Sequence, residues 1–118
     1  MNNVPAFPSL PILLVDDEPQ ALQSCELLLW SGGIDNTLCC QDSRKVPDLL
    51  ASQEFELVLL DLSMPYLSGE ELLQQSTRDY PDTPVIVFTG FNEVETAVKC
   101  MRMGASDYMI KPIEKSRI

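Results

Sequence analysis

The chain has 118 residues, the size of one ordinary domain, and its 45% hydrophobic and 22% charged residues are typical of a globular protein. A formal net charge of −10 argues against direct nucleic-acid binding, because phosphate backbones are held by clusters of Lys and Arg. No apolar run approaches the roughly 18 residues that span a bilayer, and Met1–Leu10 lacks the basic region of a signal peptide, so we expect a cytoplasmic protein without membrane contact.

Five apolar runs rich in branched residues predict strands. They are Ile12–Val15, Thr37–Cys40, Leu57–Leu60, Val85–Phe88 and Tyr108–Ile110, of which Thr37–Cys40 is the weakest. The strongest runs are continuous and do not alternate with polar residues, which indicates strands buried on both faces. This pattern is typical of a parallel sheet covered by helices.

Helical patterns separate these strands. The ranges run from Pro19 to a stop at Gly32-Gly33, from Val46 to Ser52, from Gly69 to Tyr80 with Leu72 and Leu73 as the apolar stripe, and from Asn92 to Met103. In the last of them we expect Val94, Val98 and Met101 to form the inner face. Gly104 is placed to end that helix in the left-handed conformation.

Strict alternation of strand and helix predicts an α/β fold, a doubly wound sheet of five parallel strands. We divide the chain into an N-terminal extension, 1–10, and one domain, 11–118. Glu114–Ile118 begins a last helix that the sequence cuts short, so we expect the chain to be part of a longer polypeptide.

The four cysteines and the absence of histidine limit the chemistry. Cys39 and Cys40 are adjacent, and no spacing matches a zinc site, so we expect reduced, structural thiols. Without the commonest general base and metal ligand, any reaction must depend on carboxylates, hydroxyls and lysine.

Polar residues follow the predicted strands at the edge where doubly wound sheets place their sites. Asp16 and Asp17 follow the first strand, Asp61 the third, Thr89 the fourth and Lys111 the fifth. Three crowded carboxylates repel one another unless a cation joins them, and Mg²⁺ prefers such oxygen ligands. A carboxylate flanked by a metal ion and a lysine is equipped to attack phosphorus and form an acyl phosphate.

These residues resemble the receiver domains of bacterial response regulators. The resemblance rests on Leu14-Val15-Asp16-Asp17-Glu18, on Leu59-Leu60-Asp61-Leu62-Ser63-Met64-Pro65 with Gly69, on Thr89-Gly90 and on Asp107-Tyr108-Met109-Ile110-Lys111-Pro112. It covers the chain from about Pro11 to the end. It implies a CheY-like sheet in the order 2-1-3-4-5.

The resemblance also assigns roles. It implies that Asp61 is the phosphoacceptor and that Asp16, Asp17, Asp61 and the backbone carbonyl of Ser63 bind Mg²⁺. It implies that Thr89 and Tyr108 form the switch pair and that Lys111 contacts the phosphoryl group. Such a domain is a signalling domain and not an enzyme, and it takes its phosphoryl group from a sensor histidine kinase or a phosphotransfer protein.

A finer similarity concerns the output. Phe88–Phe91, Glu95–Val98 and Met103–Tyr108 are similar to the receivers of NtrC-like transcriptional activators, in which an ATPase module and a DNA-binding module follow. We therefore expect an effector domain beyond residue 118, regulation of transcription, and a homodimer through the face of the fourth helix and fifth strand.

Three alternatives remain to be weighed. A haloacid-dehalogenase phosphatase needs a second aspartate two residues after the nucleophile, where this chain has Ser63. A nucleotide-binding module needs a Gly-rich phosphate loop, and none occurs. A pseudo-receiver that only binds proteins usually loses part of the acidic pair, the acceptor, the threonine or the lysine, whereas this chain keeps them all.

Overall fold

Five parallel strands form one sheet in the computed structural model of the chain, which describes residues 6–62, 68–90 and 94–111. The strands are β1 (Ile12–Val15), β2 (Thr37–Cys40), β3 (Leu57–Leu60), β4 (Val85–Thr89) and β5 (Asp107–Ile110). The helices are α1 (Pro19–Ser31), α2 (Val46–Ser52), α3 (Gly69–Asp79) and α4 (Val94–Arg102), and a short 3-10 helix, Ser43–Lys45, precedes α2. All nine predicted elements are present, with β4 and β5 each one residue longer than predicted.

The strand order is β2-β1-β3-β4-β5, as the sequence predicted. The register aligns Val15 with Cys40 on one side and with Leu60 on the other, so these strands end at the same level. The hydrogen bonds between β1 and β3 continue one residue beyond β3, because the amide of Asp61 donates to the carbonyl of Val15 at 3.0 Å. The ends of β1 and β3 therefore present their aspartates side by side.

Helices cover both faces of the sheet, which confirms the doubly wound α/β fold. On one face α1 inserts Leu22, Cys25 and Leu29 against the sheet. On the other face α2, α3 and α4 pack, and Leu72 and Leu73 of α3 are fully buried as predicted. Every residue of β1 is buried, as expected for a central strand that is covered by helices on both faces of the sheet.

The inner face of α4 differs from the prediction. Val94, Val98 and Met101 are 80%, 43% and 46% exposed, so they form the outer face, whereas Cys100 is fully buried. The helix carries two apolar stripes, because Cys100 is followed at helical spacing by Met103, which packs against the core. Cys100 and Met103 face the core, and periodicity alone could not distinguish the two stripes.

Glycines end two of the helices. Gly104 follows α4 at φ +105°, which confirms the predicted left-handed stop, and Gly33 follows α1 at φ +90°. A side chain at Gly104 would also contact Thr77 of α3 at 3.0 Å. The predicted start of α4 at Asn92 lies outside the described residues.

The N-terminal segment that precedes β1 is bound to the α1–β2 connection. The amide of Phe7 donates to the Asp35 carboxylate at 2.8 Å, and the amide of Asp35 donates to the carbonyl of Phe7 at 2.9 Å. The side-chain amide of Asn36 donates to the carbonyl of Pro8 at 2.9 Å.

The predicted short last helix, Glu114–Ile118, lies outside the described residues. Among the described helices, none has the length and apolar character that crossing a bilayer requires.

All four cysteines are free, and Cys25, Cys40 and Cys100 are buried as structural residues. Burial raises the pKa of Cys25 to about 11, so its thiol stays protonated at neutral pH. Cys39 of the edge strand β2 is exposed, unlike Cys40 beside it, so the expectation of buried structural thiols holds for three of the four cysteines.

Candidate functional site

Three carboxylates meet at the carboxyl ends of β1 and β3. One oxygen from each of Asp16, Asp17 and Asp61 lies within 4.8 Å of the others. Asp16 is fully buried and Asp61 is 4% exposed, whereas Asp17 is accessible to solvent. The sequence prediction that these three residues converge is therefore confirmed in geometry.

Lys111 brings a positive charge to this cluster. Its ammonium donates to an oxygen of Asp16 and lies 3.4 Å from an oxygen of Asp61. Burial by itself would lower the pKa of Lys111, but the hydrogen bond to Asp16 and the charge of Asp61 outweigh burial and raise it. Lys111 therefore stays protonated beside the two carboxylates.

Two neighbours fix the position of Lys111. Its amide donates to the carbonyl of Thr89 at 2.8 Å, which extends the pairing of β4 and β5 by one residue. Its ammonium lies 5.0 Å from the centre of the Phe88 ring, within the range of a cation–π interaction. Sequence analysis missed Phe88, whose only signal was its place beside Thr89 in a strand buried on both faces.

Asp16 is held on both of its carboxylate oxygens. Oδ1 accepts from the amide of Glu18 at 3.0 Å, and Oδ2 accepts from Lys111. A fully buried carboxylate costs free energy unless it is hydrogen-bonded and paired with a cation. The turn after β1 and the end of β5 together supply both requirements.

The two predicted switch residues lie on the neighbouring strands. Thr89 ends β4 and is fully buried, and Tyr108 of β5 is half-buried and packs against the core on the α2–α4 face. Tyr108 pairs in register with Val87, two residues before Thr89. Ser63, whose carbonyl was predicted to bind the metal ion, lies outside the described residues.

Gly69 allows α3 to begin directly against the backbone of Asp61 and Leu62, which follow β3. Its amide donates to the carbonyl of Leu62 at 3.2 Å. A Cβ at this position would lie 2.4 Å from Cα of Leu62 and 2.5 Å from the carbonyl oxygen of Asp61. Only glycine permits so short a distance between the two backbones. The first turn of α3 therefore packs directly on the backbone of Asp61 and Leu62.

The donor set suits a hard divalent cation. Three carboxylates against one ammonium leave two negative charges in excess, all on oxygen atoms that Mg²⁺ prefers. Asp17 is accessible to solvent, so a hydrated ion can reach this carboxylate. The residues present therefore fit a magnesium ion.

Comparison with known proteins agrees with this geometry. The family described as "response regulator receiver domain" matches residues 12–118. Response regulator protein PilR of Pseudomonas aeruginosa is 33% identical over 106 residues, which are 90% of this chain and 24% of PilR. Regulatory protein AtoC of Escherichia coli is 37% identical over 103 residues, which are 87% of this chain and 22% of AtoC. The chain thus spans about a quarter of the length of these two relatives.

A solved structure gives the same result for the fold. The receiver domain protein (CheY-like) from Methanospirillum hungatei superposes with a TM-score of 0.82 at 27% identity. The match covers 91% of this chain and 85% of that protein.

Proposed function

Because the chain belongs to the response regulator receiver domain family of two-component systems, we propose that Asp61 accepts a phosphoryl group from a sensor histidine kinase or a phosphotransfer protein. The observation that carries the proposal is the cluster of Asp16, Asp17 and Asp61 with Lys111 reaching into it. Asp61 is the nucleophile, because it ends the central strand and Lys111 lies beside one of its oxygens.

In the reaction a carboxylate oxygen of Asp61 forms a bond to phosphorus while the bond from phosphorus to the donor nitrogen breaks. The donor imidazole leaves and takes up a proton. Lys111, held at 3.4 Å from Asp61, offers its ammonium to a phosphoryl oxygen. Mg²⁺, held by Asp16, Asp17, Asp61 and the backbone carbonyl of Ser63, would neutralise charge on the transferred group. Positioning and charge neutralisation carry most of such a transfer.

Phosphorylation becomes a signal through Thr89 and Tyr108 in this proposal. The new phosphoryl oxygens require donors, and the hydroxyl of Thr89 is at the end of the adjacent strand. Movement of Thr89 leaves space for the ring of Tyr108, which is half-buried and can turn further inward. Such a switch requires two states within a few kcal/mol, and the phosphoryl group biases them by differential contacts.

The output surface is the outer face of α4 with β5. Val94, Val98 and Met101 are exposed there, and Ile110 of β5 is 37% exposed. An exposed apolar stripe of this kind marks a surface for protein contact. We assign to it a homodimer contact or the contact with an effector domain beyond residue 118.

The similarity to PilR and AtoC supports an activator of the NtrC-like type that regulates transcription in the cytoplasm.

The direct test is incubation with Mg²⁺ and acetyl phosphate, followed by measurement of the intact mass. The parent protein gains one phosphoryl group, and Asp61→Asn gains none while it keeps the fold. Asp48→Asn, which changes an exposed carboxylate in α2, is the matched control and labels like the parent. A parent protein that takes up no phosphoryl group would identify a pseudo-receiver that acts only as a protein-binding module.

A second experiment tests the switch. Amide hydrogen exchange across α4 and β5 is measured with and without beryllofluoride, a mimic of the phosphoryl group. Thr89→Ala still binds the mimic, but the exchange response of α4 and β5 is largely lost. An equally large response in the parent and in Thr89→Ala would show that the threonine does not couple the acceptor to the output surface.

A further inference from the structure

The first turn of α3 packs directly against the acceptor segment. Gly69 lies against the backbone of Asp61 and Leu62, where a Cβ would come within 2.5 Å of the Asp61 carbonyl oxygen. Ser68 caps the helix, because its hydroxyl accepts from the amide of Glu71 at 3.2 Å. Glu70 directly follows Gly69 in this capped first turn, so a displacement of the Asp61 segment that moves Gly69 also moves the backbone of Glu70.

An ion pair extends this connection to α4. The ammonium of Lys99 donates to a carboxylate oxygen of Glu70 at 2.8 Å, across the gap between α4 and α3. This hydrogen bond raises the pKa of Lys99, which therefore keeps its charge. Lys99 is one turn before Met103, whose carbonyl oxygen lies 2.8 Å from the hydroxyl of Thr77 on α3. The residue that follows α4 and the Lys99 side chain one turn earlier therefore both contact α3.

We infer that Glu70 and Lys99 are positioning residues whose ion pair is broken when phosphorylation moves α4, and that the pair couples the acceptor to α4 separately from Thr89. This inference rests on the proposed function of Asp61. The route runs from the Asp61 backbone through Gly69 and Glu70 to Lys99. It requires no contact with the phosphoryl group itself.

The sign of the effect follows from linkage. If phosphorylation has to break the Glu70–Lys99 pair, the pair opposes the change of state. Removal of the pair therefore increases the affinity for a phosphoryl mimic, whereas general damage to the domain would decrease it. Both side chains are partly exposed, at 59% and 37%, so the gain is modest and is screened by salt.

The test is a titration of beryllofluoride in Mg²⁺, followed by the ¹⁹F signal of the bound mimic. Lys99→Met raises the affinity by up to about fivefold at low salt, and the gain shrinks at about 1 M salt. Glu70→Gln has the same effect, and the double variant adds nothing further. Lys99→Arg keeps the charge and retains the affinity of the parent. The matched control is Arg78→Met, which removes an exposed ion pair, with Asp79, that lies within α3.

Each outcome decides the question. An unchanged or lower affinity in Lys99→Met, or an equal gain in Arg78→Met, would overturn the inference and leave the proposed function intact. A parent protein that does not bind beryllofluoride at all would overturn the proposed function and this inference together.

Discussion

The ammonium of Lys111, at the end of β5, is hydrogen-bonded to the carboxylate of Asp16, at the end of β1, although β3 and β4 lie between these strands in the sheet. The same ammonium passes Asp61 at 3.4 Å. Lys111 therefore spans the carboxyl edge of the sheet and neutralises a carboxylate that is fully buried.

The charge on Asp16 predicts a large cost for removing its partner. Lys111→Met leaves a buried carboxylate without a cation and lowers the free energy of unfolding by about 3 kcal/mol. Urea unfolding without Mg²⁺ measures the loss, and Mg²⁺ restores part of it because the ion supplies charge to the same carboxylates. Lys45→Met, at an exposed position, stays within about 0.5 kcal/mol of the parent. A loss in Lys111→Met as small as that in Lys45→Met would contradict the argument.

The raised pKa of Lys111 predicts a dependence of stability on alkaline pH. Because the folded state binds the lysine proton more tightly than the unfolded state, the stabilisation is fully present below the ordinary lysine pKa of about 10.4. It is lost as the pH rises through the higher value of the folded state. The difference in unfolding free energy between the parent and Lys111→Met, measured by urea titration, should be constant from pH 7 to about 10 and shrink above it. A difference that grows with pH would reverse the sign and refute the assignment.

The acidic cluster predicts stabilisation by magnesium. An ion that binds only the folded state adds about 2.7 kcal/mol at a hundredfold excess over its dissociation constant. Asp17→Ala removes an accessible ligand from the cluster and should abolish most of this gain. Thermal unfolding with and without Mg²⁺ measures it, and Asp48→Ala, far from the cluster in sequence, serves as the control that keeps the full response. Equal stabilisation of the parent and Asp17→Ala would exclude Asp17 as a ligand.

The close packing of α3 on the Asp61 segment predicts that alanine substitutions at two glycines differ in their effect on stability. Gly69→Ala places a methyl group 2.4 Å from Cα of Leu62, so the helix must shift, at a cost of about 1–3 kcal/mol or more. Among the residues that the structure describes, a methyl group in Gly90→Ala meets nothing within 4 Å, and Gly90 has no left-handed backbone to strain, so the stability should be close to that of the parent. Urea unfolding of both variants checks this. Equal stabilities would show that α3 can move without cost.

The strands and helices were predictable because local pattern and global fold agree. Short continuous apolar runs such as Leu57–Leu60 are typical of strands buried on both faces, and strict alternation with helices leaves few topologies. The convergence of Asp16, Asp17 and Asp61 followed from the rule that parallel strands end at one edge. These results needed no knowledge of side-chain contacts.

What could not be predicted depends on contacts between distant parts of the chain. The pairing of Lys111 with Asp16 joins residues that are 95 positions apart, and it depends on side-chain reach across two strands. The orientation of α4 was wrong because both of its stripes are apolar, and only packing against α3 and the sheet selects Cys100 for the core. The Glu70–Lys99 pair depends in turn on that orientation.

The hydrogen bonds between Phe7, Pro8, Asp35 and Asn36 have a practical consequence for the boundaries of the folding unit. The family match begins at residue 12, but the backbone that precedes it provides partners for the amides of Asp35 and Asn36 at the entrance to β2. A shortened protein that started at the family boundary would leave those groups to water and loosen the edge strand. Truncated versions should therefore retain the chain from Ala6 onward, even though sequence similarity assigns that segment no role.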